Sequence, residues 1–382
     1  MSEIKDKQVF AIGVAAVLSF LFLPLVRIKP NRIAMGDLVG SIEMLSIFSI
    51  IFLILWATII ALSFYTNKRR YVLLVTISIL TVILLLAFIS IKAKEYMVSS
   101  SARVSFSSGF YLQILWAYLI MVVGYKKIEG YKAYKFMLTI LPIILIYFGI
   151  KYGTFNDLSL MKEFITKRSQ FFDNLRIHGI LTLASVLAGI IIAVPLGYIA
   201  YKSKKSEERI MLPMSIIETI PSLSLFGILL IPLSRLGKLP IFNQIGVSGI
   251  GWAPAFVALS LYTLLPIGRN TLSGFSSVDN GIKEAAKGMG MKSTEILLKI
   301  EFPLAFPVIF TGVRIAFTQT IGGAVLAGLV GGGGMGSFVF LGLAEASQDL
   351  ILLGVIPIVL LTIIVDYLLK FIGELIRGAI YD

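Results

Sequence analysis

Residues 278–310 read VDNGIKEAAKGMGMKSTEILLKIEFPLAFPVIF, a segment of mixed polarity set between two apolar ones. Ile282, Ala285, Ala286 and Met289 share one face of a short helix, and the Gly288 and Gly290 pair breaks it. Thr294 to Glu301 then reads as a second helix that closes at Pro303. The pattern predicts a helix-turn-helix elbow at a membrane surface. Its two alanines would let another protein approach closely, Gly290 would permit the sharp bend, and Glu284 would offer a carboxylate to a basic partner.

On either side of the elbow the chain is built for lipid. Of its 382 residues, 57% are hydrophobic and only 14% are charged, whereas a soluble domain holds about 45–50% apolar and about 25% charged residues. A soluble enzyme is therefore excluded. The expected fold class is all-α, a polytopic transmembrane protein of about ten helices, each approaching the ~20 apolar residues that span a bilayer. The first half gives Val9 to Val26, Met44 to Tyr65, Tyr71 to Ile91, Ser108 to Tyr125 and Phe136 to Ile150. The second half gives His178 to Tyr201, Ile210 to Leu236, Gly251 to Ile267, Leu304 to Val330 and Leu350 to Ile372. Charged or turn-forming clusters such as Asn67-Lys68-Arg69-Arg70 and Lys126-Lys127-Ile128-Glu129-Gly130 bound them.

The net charge is +13, from 34 Lys and Arg against 21 Asp and Glu. In a polytopic protein such an excess reflects topology rather than nucleic-acid binding: with a cytoplasmic N-terminus, 20 basic residues fall on inside segments and 13 on outside ones. Both termini are then expected inside. The first residues, MSEIKDKQVF, carry two lysines before an apolar stretch with no A-x-A-like cleavage site after it, which predicts a retained first helix. With no Cys and one His, disulfides and Cys-based zinc, iron-sulfur or thiol chemistry are excluded, and no metal site is expected.

Three regions follow: a five-helix membrane region at 1–155, an amphipathic segment at 156–177, and a second membrane region at 178–382 containing the elbow at 279–303. In the middle segment Leu158, Met161, Phe164, Ile165, Phe171, Phe172 and Leu175 recur at roughly helical spacing among Lys and Asp. Such a stretch would lie along the outer membrane surface; an ordinary loop with some apolar residues is the alternative.

Glu284-Ala285-Ala286, three residues, Gly290, nine residues, Ile300, one residue, then Phe302-Pro303 resembles the EAA loop of binding-protein-dependent ABC importer permeases, with Phe302 where Leu is usual. The resemblance extends over about residues 160 to 375. There ETIPSLSLFGILLIPL, LYTLLPIGRNTLSGF, EAAKGMGM and the Gly331 to Gly336 run look like the osmoprotectant group, which takes up glycine betaine, choline and related quaternary amines. The resemblance implies a coupling helix carried by Glu284, Ala285, Ala286, Gly290, Ile300 and Pro303, docked into a groove on a separate ABC ATPase subunit. Closure of two ATPase subunits would turn two permease copies, or this chain and a related permease, from inward-facing to outward-facing.

The implied partners are that ATPase, an extracytoplasmic substrate-binding protein and the lipid bilayer of a prokaryotic inner membrane. ATP and Mg²⁺ would sit on the ATPase, with no cofactor and no enzymatic activity on this chain. GGGGMGSF at Gly331 to Phe338 lacks the Lys and Ser/Thr that a phosphate loop needs after its last glycine, so the glycines are read as letting the ninth helix unwind or pack closely. An amino acid is the alternative solute. A secondary transporter or membrane enzyme in which the loop is incidental is the rival class.

The resemblance leaves departures. The usual osmoprotectant permease matches only the second half, so the five preceding helices resemble a longer subtype. The linker SRLGKLPIFNQIGVSGIGWAPAF is also longer than the compact pattern of the shorter relatives.

Polar residues in apolar helices mark a translocation path of Glu218, Pro221, Arg314 and Thr318. A charge in the membrane is costly and faces a protein interior or an aqueous route. Arg314 has two readings, a structural Arg pairing with a neighbour and a residue lining the path. Pro221, in ETIPS, leaves a carbonyl free and is a place for the helix to kink, and Glu218 reads either as a residue making a helix-capping or inter-helix hydrogen bond or as a substrate contact. Asp366 is expected to pair locally with a Lys or Arg, and His178 to sit near the outer surface. A quaternary ammonium binds by cation-π attraction, but the 26 Phe, 15 Tyr and 3 Trp do not decide the point, because membrane helices use aromatics heavily anyway.

Overall fold

The computed structural model describes residues 5–32, 34–65, 67, 69–128 and 132–381. The chain forms two compact units, Met1–Thr166 and Lys167–Asp382.

The first unit begins with α1 (Lys7–Phe22), capped by Asp6, whose carboxylate accepts the Val9 N–H at 3.3 Å. The predicted continuation to Val26 is not helical. Pro24 cannot supply the next helical N–H, and the chain enters an antiparallel sheet of β1 (Pro24–Lys29), β2 (Asp37–Gly40) and β3 (Arg103–Phe106) in the order β2-β1-β3. Arg27 lies opposite Leu38 on one neighbour and Ser105 on the other. The chain is thus predominantly helical, as expected, with a small sheet that helical periodicity could not reveal.

Then follow α2 (Ser41–Leu45), α3 (Ser49–Leu62), α4 (Arg69–Ala93), α5 (Ser108–Lys127), α6 (Lys132–Lys151) and α7 (Ser159–Thr166). Lys68, Glu129 and Gly130, predicted to bound helices, lie outside the described residues. Phe20, Phe52, Leu85, Ile89, Phe106 and Phe110 join α1, α3, α4, α5 and the sheet in one core. Gln113, nearly fully buried, ties that core together: it accepts the Trp56 indole N–H at 2.7 Å and donates to the Ala16 carbonyl and the Ser19 hydroxyl, both at 2.9 Å. Without water, each of these donors needs a protein acceptor.

The predicted amphipathic segment is helical, divided between α7 and the first turns of the next helix. Its Glu163 is buried and accepts Arg32 and Arg103, each at 2.8 Å.

The second unit comprises α8 (Arg168–Lys202), α9 (Lys204–Thr219), α10 (Ser222–Leu236), α11 (Pro240–Gln244) and α12 (Trp252–Ser276), then α13 (Asn280–Gly288), α14 (Ser293–Ile296), α15 (Phe302–Gly323), α16 (Gly336–Ala344) and α17 (Gln348–Tyr381). The central element, α12, packs against both α8 and α15. On α8 the buried stripe Ser185, Gly189, Ala193, Gly197 and Ala200 recurs every three or four residues, so the helix backbones approach closely.

Among the described residues six helical stretches are long and apolar enough to cross a membrane, and α9 with α10 adds a seventh if counted as one span. Each of the ten predicted positions carries helix. The predicted helix Ile210 to Leu236, however, is bent by 105° between α9 and α10. Pro221 offers no N–H, and the residue before a proline avoids the helical region; Ile220 accordingly has ψ 124°. The predicted helix Leu304 to Val330 likewise ends its α-helical part at Gly323 and tightens to a 3₁₀ helix over Ala324–Val330.

Beyond that turn Gly336 presses on the backbone: a Cβ there would lie 1.7 Å from the Val325 carbonyl oxygen. Gly336→Ala is expected to lower stability by about 1–3 kcal/mol through overpacking, seen as a lower unfolding midpoint in detergent. Gly322→Ala, where the added carbon meets nothing within 4 Å, should leave that midpoint unchanged or raised.

Candidate functional site

Asp279 starts the elbow by accepting the Gly281 N–H at 2.5 Å, and α13 follows for nine residues. The predicted common face divides. Ile282, Glu284, Ala285 and Met289 are exposed, whereas Ala286 is fully buried. On a helical wheel Ala286 lies on the side of Lys283, and that side turns into the protein. Ala285 alone of the two alanines is offered outward.

Gly290 ends α13 with φ +83°, a left-handed conformation that glycine adopts without Cβ strain. The Met291 N–H reaches the Ala286 carbonyl at 3.2 Å and the Gly290 N–H reaches that of Lys287 at 3.0 Å. This is a Schellman closure. The second arm starts at α14, where the Glu295 carboxylate accepts the Lys292 N–H at 3.0 Å.

Contrary to expectation, this arm does not close at Pro303. It widens into a π-helical turn over Leu297–Glu301 and runs on into α15, with Pro303 just past the widened turn. Ile300 is half-buried in the widened turn. Beneath the elbow Phe275, Val278, Ala305 and Ile309 form a buried cluster with Tyr198, Tyr201, Leu297 and Leu304 packed against it.

A second polar locus is the bend between α9 and α10. Glu218 and Pro221 are exposed there, and the carbonyl of Ile220 accepts the Tyr262 hydroxyl of α12 at 2.7 Å. Arg314 and Thr318 lie elsewhere, on α15. Arg314 makes two hydrogen bonds to Asp366 of α17, Nε to Oδ1 at 2.6 Å and an Nη to Oδ2 at 2.8 Å. Of its two readings the structure shows pairing, and Asp366 has the basic partner expected of it. The Thr318 hydroxyl donates to the Ile315 carbonyl at 2.9 Å within its own helix.

His178, at the start of the predicted sixth helix, is fully buried within the protein, with Nε2 3.0 Å from the Ile321 carbonyl. That carbonyl is left over where α15 gives way to the 3₁₀ turn. The glycine run turns the chain through left-handed Gly331, Gly333 and Gly334. Among the described residues no group of three or more His, Asp or Glu could hold a metal ion.

Tyr262 and Tyr201 escaped the sequence reading because nothing near them in the chain marks them. The helix break that Pro221 imposes was the available sign that a partner such as Tyr262 would be needed there.

Residues 185–378, half the chain, match the family described as the inner membrane component of binding-protein-dependent transport systems. The chain belongs to that family. This permease therefore is a multi-pass membrane transport subunit, not an enzyme, of the kind that works with an ATPase and a substrate-binding protein. Its residues 6–161 match the N-terminal domain of the ABC transporter permease YehY.

The choline transport system permease protein OpuBB of Bacillus subtilis is 38% identical over 192 residues, covering 50% of this permease and 82% of the relative. The glycine betaine/carnitine/choline permease protein OpuCB of the same organism has the same identity and coverage. The osmoprotectant import permease protein OsmW of Salmonella typhimurium is 37% identical over 50% of this permease and 85% of its own length. A solved inward-facing form of the MetNI methionine ABC transporter aligns with TM-score 0.47 at 22% identity, covering 57% of this permease and 99% of that chain.

Asp366→Leu should leave the Arg314 charge unpaired and, because both side chains are about one third exposed, cost about 1 kcal/mol of stability. Combined with Arg314→Leu it should recover most of that loss, measured by thermal unfolding of the purified permease in detergent.

Proposed function

We propose that this permease forms the translocation path of an ATP-driven importer for quaternary-amine osmoprotectants such as glycine betaine or choline. The observation that carries the substrate class is the relatedness: permeases named for choline, for glycine betaine, carnitine and choline, and for osmoprotectants are 37–38% identical over more than four fifths of their own length. An amino acid is the second reading of the solute, because the sequence pattern of the architecture is compatible with other small substrates.

In this reading two permease copies, or this chain and a related permease, face each other across the path. The elbow at 279–303 is the coupling helix, with Glu284, Ala285, Gly290, Ile300 and Pro303 presenting or shaping its docking surface and Ala286 anchoring it from within. The exposed apolar side chains Ile282 and Met289 beside Glu284 suit a groove on the ATPase that is part apolar and part basic. ATP and Mg²⁺ bind that partner, and no cofactor binds this chain.

An extracytoplasmic binding protein delivers the solute. The 20 to 13 bias of basic residues supports an inner-membrane location with both termini cytoplasmic. The bend at Glu218 and Pro221 supplies irregular backbone, which lipid does not tolerate and a water-lined path does, so these residues border the path. Arg314 and Thr318 border it through α15, with Arg314 able to meet a betaine carboxylate if Asp366 yields it. Residues 1–155 form an accessory membrane region, with 156–177 as the amphipathic connection to the permease core at 178–382.

In proteoliposomes containing permease, ATPase and binding protein, labelled glycine betaine or choline should accumulate with ATP, and excess amino acids should not compete. Competition by an amino acid would favour the second reading. Glu284→Lys should reduce uptake by about tenfold or more while ATP hydrolysis continues and the protein remains in the membrane, since a reversed charge at the docking face breaks an ion pair across the interface. Unchanged uptake would instead favour a transporter in which the loop is incidental.

A further inference from the structure

Lys283 lies on the buried side of α13, directly behind the exposed docking face. Its ammonium donates to the Tyr201 hydroxyl, at the end of α8, at 2.8 Å. The same ammonium lies 3.9 Å from the carboxylate of Glu301, in the π-helical turn that leads into α15. The Lys283 and Glu301 side chains are only 12% and 10% exposed, so the pair is largely removed from solvent. The Tyr201 ring stacks on Phe275 at the end of α12, with centroids 5.7 Å apart. Lys283 is therefore one polar group touching two transmembrane helices at their junction with the elbow, and its tyrosine partner packs against a third. These residues, with Lys202, Glu284 and Lys287, line a cavity of about 400 Å³, so α13, unlike the second arm, is held across an open space by a few contacts.

We propose that Tyr201, Lys283 and Glu301 are positioning residues that tie the first arm of the elbow, α13, to α8 and to the π-helical turn that leads into α15, so that displacement of α13 by the ATPase moves both helices as one piece. The proposal rests on the reading of the elbow as the ATPase-docking element. None of the three touches solute or nucleotide. A largely buried ion pair with a hydrogen-bonded third member suits this role: contacting charged groups couple strongly, and a half-satisfied buried network is more costly than a complete one. Without the tie the elbow would swing into the cavity on its glycine hinge, and the stroke of the ATPase would be lost there.

The protein contains no cysteine, so Tyr201→Cys with Lys283→Cys creates the only two thiols of the permease. In the complete transporter with ATPase and binding protein, the reduced double variant should retain the ATPase on purification and lose about tenfold in solute imported per ATP hydrolysed, the scale expected when contacting charged partners are separated. Bridging the two thiols with a short bifunctional maleimide should restore most of that ratio. Glu301→Gln, which removes the charge and keeps the shape, should uncouple in the same direction.

The proposal is overturned if the reduced variant imports at the normal ratio. It is overturned equally if bridging fails to restore the ratio, or if the ATPase no longer co-purifies with the double variant or with Glu301→Gln, which would make these residues part of the docking surface. Failure of the underlying reading has a separate sign: Glu284→Lys would then leave both ATPase binding and coupling intact.

Discussion

A bilayer offers no water to a stray carbonyl or hydroxyl, and that single condition explains why the interior of this permease is arranged as it is. At two places where a helix stops being regular, a side chain from another helix meets the backbone carbonyl there. Tyr262 meets the carbonyl at the bend before Pro221, and His178 meets the one released where α15 tightens. Gln113 does a similar service in the N-terminal unit, where it accepts the Trp56 indole N–H and donates to the Ala16 carbonyl and the Ser19 hydroxyl. Each contact is worth little in isolation. Leaving its acceptor bare would cost several kcal/mol in hydrocarbon, so these residues permit the irregular backbone that transport demands.

The elbow, in the proposed reading as the ATPase-docking element, obeys a different rule. Its outward side mixes apolar side chains with the Glu284 carboxylate and the exposed Lys287, and its inward side is a cluster of aromatic rings and a lysine between a phenol and an acid. A docking element needs to be rigid relative to its own membrane helices and replaceable relative to its partner. Putting the specific contacts behind it and the permissive ones in front gives both properties with nine residues of helix.

Much of this was legible in the sequence. The elbow could be read because its cap, its glycine bend and its apolar spacing all lie within a few residues, where local rules operate. The break at Pro221 could be read for the same reason, though not its 105° angle, which depends on what α12 supplies. Arg314 and Asp366 were each conspicuous as charges in apolar helices, yet their partnership spans 52 positions. Tyr201 and Lys283 are 82 positions apart, and neither is unusual in its own neighbourhood. The three-stranded sheet was hidden for another reason: strands of four to six residues carry too few side chains to establish a period of two, and β1 follows an apolar helix without interruption.

The π-helical turn at Leu297–Glu301 introduces a phase offset between the elbow and the helix that follows it. Each residue of an α-helix advances the side chains by about 100°, so one extra residue accommodated in that turn rotates everything before it by that amount relative to α15. The direction in which the second arm faces is therefore set by a local count of residues and not by the arm's own sequence. A one-residue deletion there would heal the turn into ordinary α-helix and re-aim an otherwise unchanged docking element, a route by which related permeases could come to accept ATPases approaching from a different angle.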